Sequence, residues 1–158
     1  MGDRLAHLRL ARERLAALPQ ARLVLESPIY ETEPWGDADQ PYYANQVVAL
    51  DLEPVWTPGR LLAAIQAIET DTGRVRDPKR RFGPRTLDVD ILLFGQDALH
   101  EPDLLIPHPR LRQRAFVLVP LADIAAELTI PDGQGGSVRQ ALAKIPFKIS
   151  GNIITAGT

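Results

Sequence analysis

Two aspartates two positions apart, Asp88 and Asp90, follow directly on a loop dense in arginine. From Gly73 to Gly95 the chain reads GRVRDPKRRFGPRTLDVDILLFG. Arg74, Arg76, Lys79, Arg80, Arg81 and Arg85 are six of its eighteen Lys and Arg, opposed within the loop only by Asp77. In the second half Leu87, Val89, Ile91 and Leu93 alternate with Asp88, Asp90, Leu92 and Phe94, a period-two pattern that predicts a strand. On a strand both carboxylates share one face, about 7 Å apart. They repel unless a cation lies between them. Mg²⁺ suits the pair, being held at about 2.1 Å by one or two carboxylates plus substrate phosphates. The loop's guanidiniums supply forked donors for non-bridging phosphate oxygens. Carboxylates for metal and guanidiniums for phosphate together predict a nucleotide triphosphate site. Asp-x-Asp alone is a weak motif, and a charged loop is usually only solvated. Here Leu92 and Phe94 make the strand apolar on both faces further along, which predicts that its carboxylates sit at a buried end and need a partner.

A second group of candidates lies in LIPHPRLRQRAFVLVPL, Leu105 to Leu121. His108 stands between Pro107 and Pro109, near Arg110, Arg112 and Arg114. A lone histidine is more often structural than catalytic, but one fixed between prolines beside arginines can donate to phosphate. A third group is ETEPWGDADQPYY, Glu31 to Tyr43, a loop by composition that carries Trp35 and two tyrosines. Aromatics beside Gly and Pro fit a mobile flap that stacks on a flat ligand, and equally a Trp35 that plugs the core under a long loop.

The elements that must position these residues follow from periodicity and punctuation. Asp3 can cap a helix to about Leu18, with Leu5, Leu8, Ala11, Leu15 and Leu18 inward and Pro19 as its stop. His7 lies off that stripe, at the surface. Arg22 to Tyr30 is a strand weakened near its end by Pro28. Asn45 to Leu52 is a second strand. Thr57 and Pro58 start a helix ending at Gly73, with Leu61, Leu62, Ile65 and Ile68 inward and Gln66 and Glu69 on its last turns. Phe116 to Ala126 is helical in part. Asp132-Gly133 and Gly135-Gly136 mark turns, and Ser137 caps a short helix to about Ala143. Helices interleaved with strands in the order helix, strand, strand, helix, strand predict an α+β fold, a ferredoxin-like βαββαβ sandwich with an antiparallel sheet and its first strand missing.

Composition bounds the rest. The 158 residues suit one domain, 1–158, and 45% hydrophobic content excludes disorder. With no cysteine, disulfides and thiolate metal sites are excluded. A net charge of −2 argues against a protein that coats nucleic acid. No apolar run approaches a membrane span and the N-terminus has no apolar signal region, so a cytoplasmic protein is expected. Met1-Gly2 is not a myristoylation signal, since Ala6 stands where Ser or Thr is needed.

These three blocks, in the order they take along the chain, resemble the 6-hydroxymethyl-7,8-dihydropterin pyrophosphokinase family of folate biosynthesis over residues 1 to about 133. The pairing of GPRTLD-x-DILLFG with PHP is the specific part. The resemblance implies transfer of the β,γ-diphosphate of ATP to the pterin's hydroxymethyl oxygen, leaving AMP, with two Mg²⁺ ions. Asp88 and Asp90 match the family's metal-binding aspartates. Arg74 and Arg76 match loop arginines that close over the reactants, and Arg85 and Arg114 match arginines on the phosphates. His108 matches the histidine on the nucleotide's phosphates, while Gln66, Glu69 and Ile91 fall where the family lines the nucleotide site. Thr32, Tyr43 and Asn45 match pterin-pocket positions, Phe116 the stacking aromatic, and Trp35 and Phe82 the flap. A monomer acting on ATP and the pterin, without nucleic acid or membrane, is implied.

The chain departs from the family at its start. The family begins with a strand and a Gly-Ser-Asn turn before the Gly2-Asp3-Arg4 seen here, and losing that central strand is expected to leave two inner edges unpaired. Either the start is truncated or another segment fills the slot. Lys148 to Thr158, KISGNIITAGT, is apolar and β-branched enough to be that strand, or is a frayed tail. The alternatives in function are a ferredoxin-like domain that binds single-stranded nucleic acid through its basic loop, a nucleotide-sugar enzyme using Asp-x-Asp, and a catalytically impaired relative.

Overall fold

A computed structural model describes residues 4–32, 42–72 and 87–156. The elements in order are α1 (Arg4–Ala16), β1 (Ala21–Glu26), β2 (Tyr30–Thr32), β3 (Tyr43–Asn45), β4 (Val48–Leu52), α2 (Pro58–Asp71), β5 (Leu99–Glu101), β6 (Leu104–Ile106), α3 (Ala115–Ala125), α4 (Val138–Leu142), β7 (Phe147–Ser150) and β8 (Ile153–Ala156). The fold is α+β, as expected. The chain forms two compact units, Met1–Leu23 with Leu50–Asp90 and Val24–Ala49 with Ile91–Thr158.

In the first unit α1 packs against α2. Thr57 caps α2 as its position before Pro58 requires: its Oγ1 accepts the Arg60 N–H at 3.1 Å. Leu61, Ile65 and Ile68 are buried along the inner face, with Leu62 only half-buried. Ala11 and Leu15 are the buried residues of α1, whereas Leu5, expected inward, is 48% exposed at the helix's first turn. Arg14 and Asp71 join the two helices at 3.1 Å. The Trp56 indole N–H donates to the Pro19 carbonyl at 2.9 Å.

The second unit holds a four-stranded sheet in the order β3-β2-β8-β7. β2 runs antiparallel to β3, with Tyr30 opposite Asn45 and Thr32 opposite Tyr43. Helix α3 packs on β2, β3, β8 and α4. The core of the unit is Leu111, Leu118, Leu121, Ile130, Val138 and Ala141, with Leu92 and Leu93 packed against it. α4 begins with the expected Ser137 cap, here a full capping box with Gln140.

Pro28 divides what the sequence presented as one strand into β1 and β2. At the break the Ser27 hydroxyl satisfies backbone groups that the ladder leaves: it donates to the Pro28 carbonyl at 2.8 Å and accepts the Val47 N–H at 3.0 Å. The Gln46 side chain donates to the Ser27 carbonyl at 2.8 Å, so the opposite strand is divided too, into β3 and β4. This interruption sets the short β2–β3 pair that carries Thr32, Tyr43 and Asn45.

Three expectations are corrected. Among the described residues Leu87–Phe94 joins no sheet. Its alternation is real, with Leu87 buried and Asp88 and Asp90 exposed, but a period-two pattern makes a strand only where a neighbour supplies the ladder. Instead, the Val89 N–H reaches the Glu69 Oε2 at 3.4 Å, and the Leu92 carbonyl accepts the His108 N–H at 2.9 Å. Second, the two aspartates are exposed, not at a buried end. Third, the C-terminal segment is neither frayed nor in a first-strand slot. It forms the β7–β8 hairpin, whose Gly151 takes φ +61°, and β8 lies parallel to β2, with Ile153 opposite Glu31 and Ile154 opposite Thr32. Among the described residues β4 is bonded to β1 alone and Leu87–Phe94 to no strand.

Candidate active site

The candidate residues divide between the units. Gln66, Glu69, Asp88 and Asp90 belong to the first. Glu69 is 6% exposed on α2, and its carboxylate accepts the Val89 N–H, tying the helix to the residue between the two aspartates. Val89 is half-buried there, between two neighbours that face solvent. Gln66 is exposed one turn earlier. Among the described residues no three His, Asp or Glu side chains form a cluster able to hold a metal alone. Two solvent-facing carboxylates suit a hard divalent ion whose remaining ligands are water and phosphate oxygens.

Thr32, Tyr43, Asn45, Ile91, His108, Arg114 and Phe116 belong to the second unit. The Asn45 Nδ2 donates to Thr32 Oγ1 at 3.1 Å, which fixes the amide and orients its Oδ1 as an acceptor. Tyr43 is 49% exposed beside Thr32 in the ladder. Behind this pair stands Tyr30, whose hydroxyl donates to the Asp123 carboxylate of α3. That bond, with burial and the carboxylate's charge, pushes the Tyr30 phenol up to about 12. The link pins β2 to α3, the helix that also carries Phe116 one residue from its start. The Arg114 guanidinium lies over the Phe116 ring, 5.5 Å from its centroid.

His108 follows the cis Ile106–Pro107 peptide. Its Nδ1 accepts the Arg110 N–H at 3.2 Å, which makes the neutral ring a donor through Nε2. One turn of 3-10 helix, Leu111–Gln113, comes next. The three arginines of this segment are not equivalent. Arg112 is engaged by Asp132, Nε to Oδ2 at 2.6 Å and Nη2 to Oδ1 at 2.8 Å, and so is not a phosphate ligand in waiting. Spacing from His108 gave no sign of that difference, because the partner lies twenty residues away. Arg74, Arg76, Arg85, Trp35 and Phe82 lie outside the described residues.

Residues 1–126 match the family of 7,8-dihydro-6-hydroxymethylpterin-pyrophosphokinase (HPPK). The chain is an HPPK family member. It is 49% identical over 141 residues to the 2-amino-4-hydroxy-6-hydroxymethyldihydropteridine pyrophosphokinase of Pseudomonas aeruginosa, covering 89% of this chain and 83% of that one. With the Methylorubrum extorquens enzyme of the same name it shares 47% identity over 145 residues, 92% of this chain and 87% of the relative. The Bacillus subtilis enzyme of that name is 40% identical over 128 residues, 81% and 74% of the two chains. The HPPK match covers every candidate site residue, including those outside the described segments, and ends at Ala126, the residue after α3. No described helix is long and apolar enough to cross a membrane.

Proposed function

We propose that the chain transfers the β,γ-diphosphate of ATP to the hydroxymethyl oxygen of 6-hydroxymethyl-7,8-dihydropterin, giving AMP and the pterin pyrophosphate in folate biosynthesis. The observation that carries this is the HPPK match over residues 1–126, joined by relatives up to 49% identical that bear the enzyme's name. The whole chain is read as one monomeric, cytoplasmic pyrophosphokinase domain acting on two small molecules.

The transferred group is densely anionic, so catalysis rests on positioning and charge rather than on a covalent intermediate. Asp88 and Asp90 would hold Mg²⁺; their exposure and alternate spacing support that role. Bound there, the two ions expected would neutralise phosphate charge and polarise the attacking hydroxyl. Arg74, Arg76 and Arg85 would grip and close over the phosphates, and His108 and Arg114 would donate to them. The Arg110 N–H on His108 Nδ1 favours the ring form that donates through Nε2, which supports that role. Gln66, Glu69 and Ile91 would line the nucleotide. Asn45, oriented by Thr32, would read the pterin's polar edge, with Tyr43, Phe116, Trp35 and Phe82 against its flat faces. No described side chain is assigned as a general base.

Incubation with ATP, Mg²⁺ and the reduced hydroxymethylpterin tests the reading. AMP must appear in step with pterin pyrophosphate. ADP instead of AMP, or no turnover, would sink it.

A further inference from the structure

The segment from His108 to Arg114 carries one arginine whose charge is already spoken for, and the way it is held has consequences for the histidine. The 3-10 turn Leu111–Gln113 has no side-chain cap. Two side chains tie it to the rest of its unit. Leu111, 1% exposed, enters the core. Arg112 reaches across to the loop 132–136, where it makes three bonds: two to the Asp132 carboxylate and a third from Nη2 to the Gly135 carbonyl at 2.9 Å.

That loop is a built receptor. Asp132 Oδ1 also accepts the Gln134 N–H at 3.1 Å, so the carboxylate is fixed from both sides. Gly135 at φ +76° and Gly136 at φ +90° turn their carbonyls in a way that side-chain-bearing residues rarely adopt. Buried Ile130 donates its N–H to the Gly136 carbonyl at 3.1 Å, and Ile130 and Val138 anchor both ends of the loop in the core. The side chains of Arg112 and Asp132 are 16% and 21% exposed, so the forked pair is largely shielded from water.

From Arg112 the path to the imidazole is short. The turn closes through Leu111 N–H to the His108 carbonyl and Gln113 N–H to the Arg110 carbonyl, both 3.1 Å. That closure aims the Arg110 N–H at His108 Nδ1, the contact that selects the Nε2–H form of the ring. We infer that Arg112, clamped by Asp132 and Gly135, is a positioning residue for nucleotide binding: it holds the 3-10 turn closed and so fixes the tautomer and direction of His108. The inference rests on the reading of His108 as a phosphate donor.

The test uses the full-length protein with Arg112→Leu, which keeps the apolar stem and removes the fork. Imidazole nitrogen correlation spectra report the His108 tautomer, and steady-state kinetics report ATP and pterin separately. The expected result is a wild-type ring protonated on Nε2 alone and a variant ring averaging between tautomers. KM for ATP should rise about tenfold, less than the ~10²-fold that an ångström of misplacement can cost, with KM for the pterin nearly unchanged. Unchanged His108 spectra and an unchanged KM for ATP would overturn the inference, whatever the melting temperature does, and leave the clamp as a stabilising pair only. If Arg112→Leu fails to fold, Asp132→Asn carries the same readouts, since a neutral amide weakens the fork without emptying it. His108→Ala separates the two claims. If it leaves KM for ATP unchanged while Arg112→Leu still alters the ring, the phosphate role of His108 fails and the clamp's hold on the ring stands.

Discussion

Aspartate does opposite work in two regions of this chain. In the loop after Ile130, Asp132 meets a guanidinium along both oxygens, accepts a backbone N–H as well, and sits between residues buried in the core. The Arg112 fork holds its carboxyl below the ordinary range, and the same bond raises Arg112. In the segment after Leu87, Asp88 and Asp90 face solvent from a backbone that joins no sheet. A carboxylate matched by a fixed cation within the protein has little left to offer a ligand. A solvent-facing pair beside buried Leu87, with half-buried Val89 tied to Glu69 between them, has the exposure and spacing that suit a metal arriving with its own oxygens. The difference predicts which substitutions should cost turnover and which should cost folding.

The largest effect should be Asp90→Ala, with AMP production falling by about three orders of magnitude, the scale of the several kcal/mol that a metal contributes to a charged transition state. Because Asp90 is exposed, its melting temperature should stay near that of the unaltered protein. Near-normal AMP formation would remove the metal assignment and with it the functional half of the comparison.

Next in size is deletion of Ile149 to Thr158. It removes β8, with Ile154 at 3% exposure, and the ladder alongside Glu31 and Thr32. Losing that buried side chain alone costs about 2–5 kcal/mol, so denaturant unfolding should begin at clearly lower concentration. An unchanged midpoint would mean that this hairpin adds nothing to the sheet bearing Thr32 and Asn45.

Smaller again is Asp132→Ala, expected to lose about 2 kcal/mol because it leaves a shielded guanidinium without its carboxylate. The pH dependence has a definite sign. Asp132 is held below its ordinary value of 3.8 in the folded protein, so its contribution is complete above that pH and fades as pH falls through the lowered value. The variant should therefore show a flatter loss of stability in acid than the unaltered protein. Equally steep acid limbs would assign acid sensitivity to other carboxylates.

Where sequence and structure agree, the signals were local. Thr57 before Pro58, Ser137 three residues before Gln140, and Pro28 inside an apolar run each act on backbone groups within four positions, and each did what its chemistry requires. Most residue types of the candidate site were legible for the same reason, since all but Asn45, Gln66 and Glu69 lie in three short blocks that the HPPK match spans. What could not be read depends on partners far along the chain. Leu87–Phe94 has a strand's alternation but no neighbouring strand among the described residues, a fact about the sheet and not about the segment. The β5–β6 hairpin was missed although Pro102-Asp103 is a turn pair, because three-residue flanks are too short to show a period. Arg112 looked like Arg110 and Arg114 until Asp132 was beside it.

The smallest effect probes a position behind the pterin pair. Tyr30 lies opposite Asn45 in the β2–β3 ladder, and its hydroxyl donates to Asp123 on α3, so the link holds the strand to the helix bearing Phe116. Asp123 is exposed, and water can replace the lost bond, so Tyr30→Phe should cost at most about 1 kcal/mol. The sign in alkali is opposite to that of Asp132 in acid. The phenol is raised from 10.0 to about 12, so what the neutral hydroxyl contributes is whole below pH 10 and disappears as pH climbs through 12. Tyrosinate absorbance at 295 nm would show the upshifted residue among the chain's three tyrosines, and Tyr30→Phe should delete that late step alone. If Tyr30 shows no such late step, the bond to Asp123 does not persist in solution, and β2 is held to α3 by packing without it.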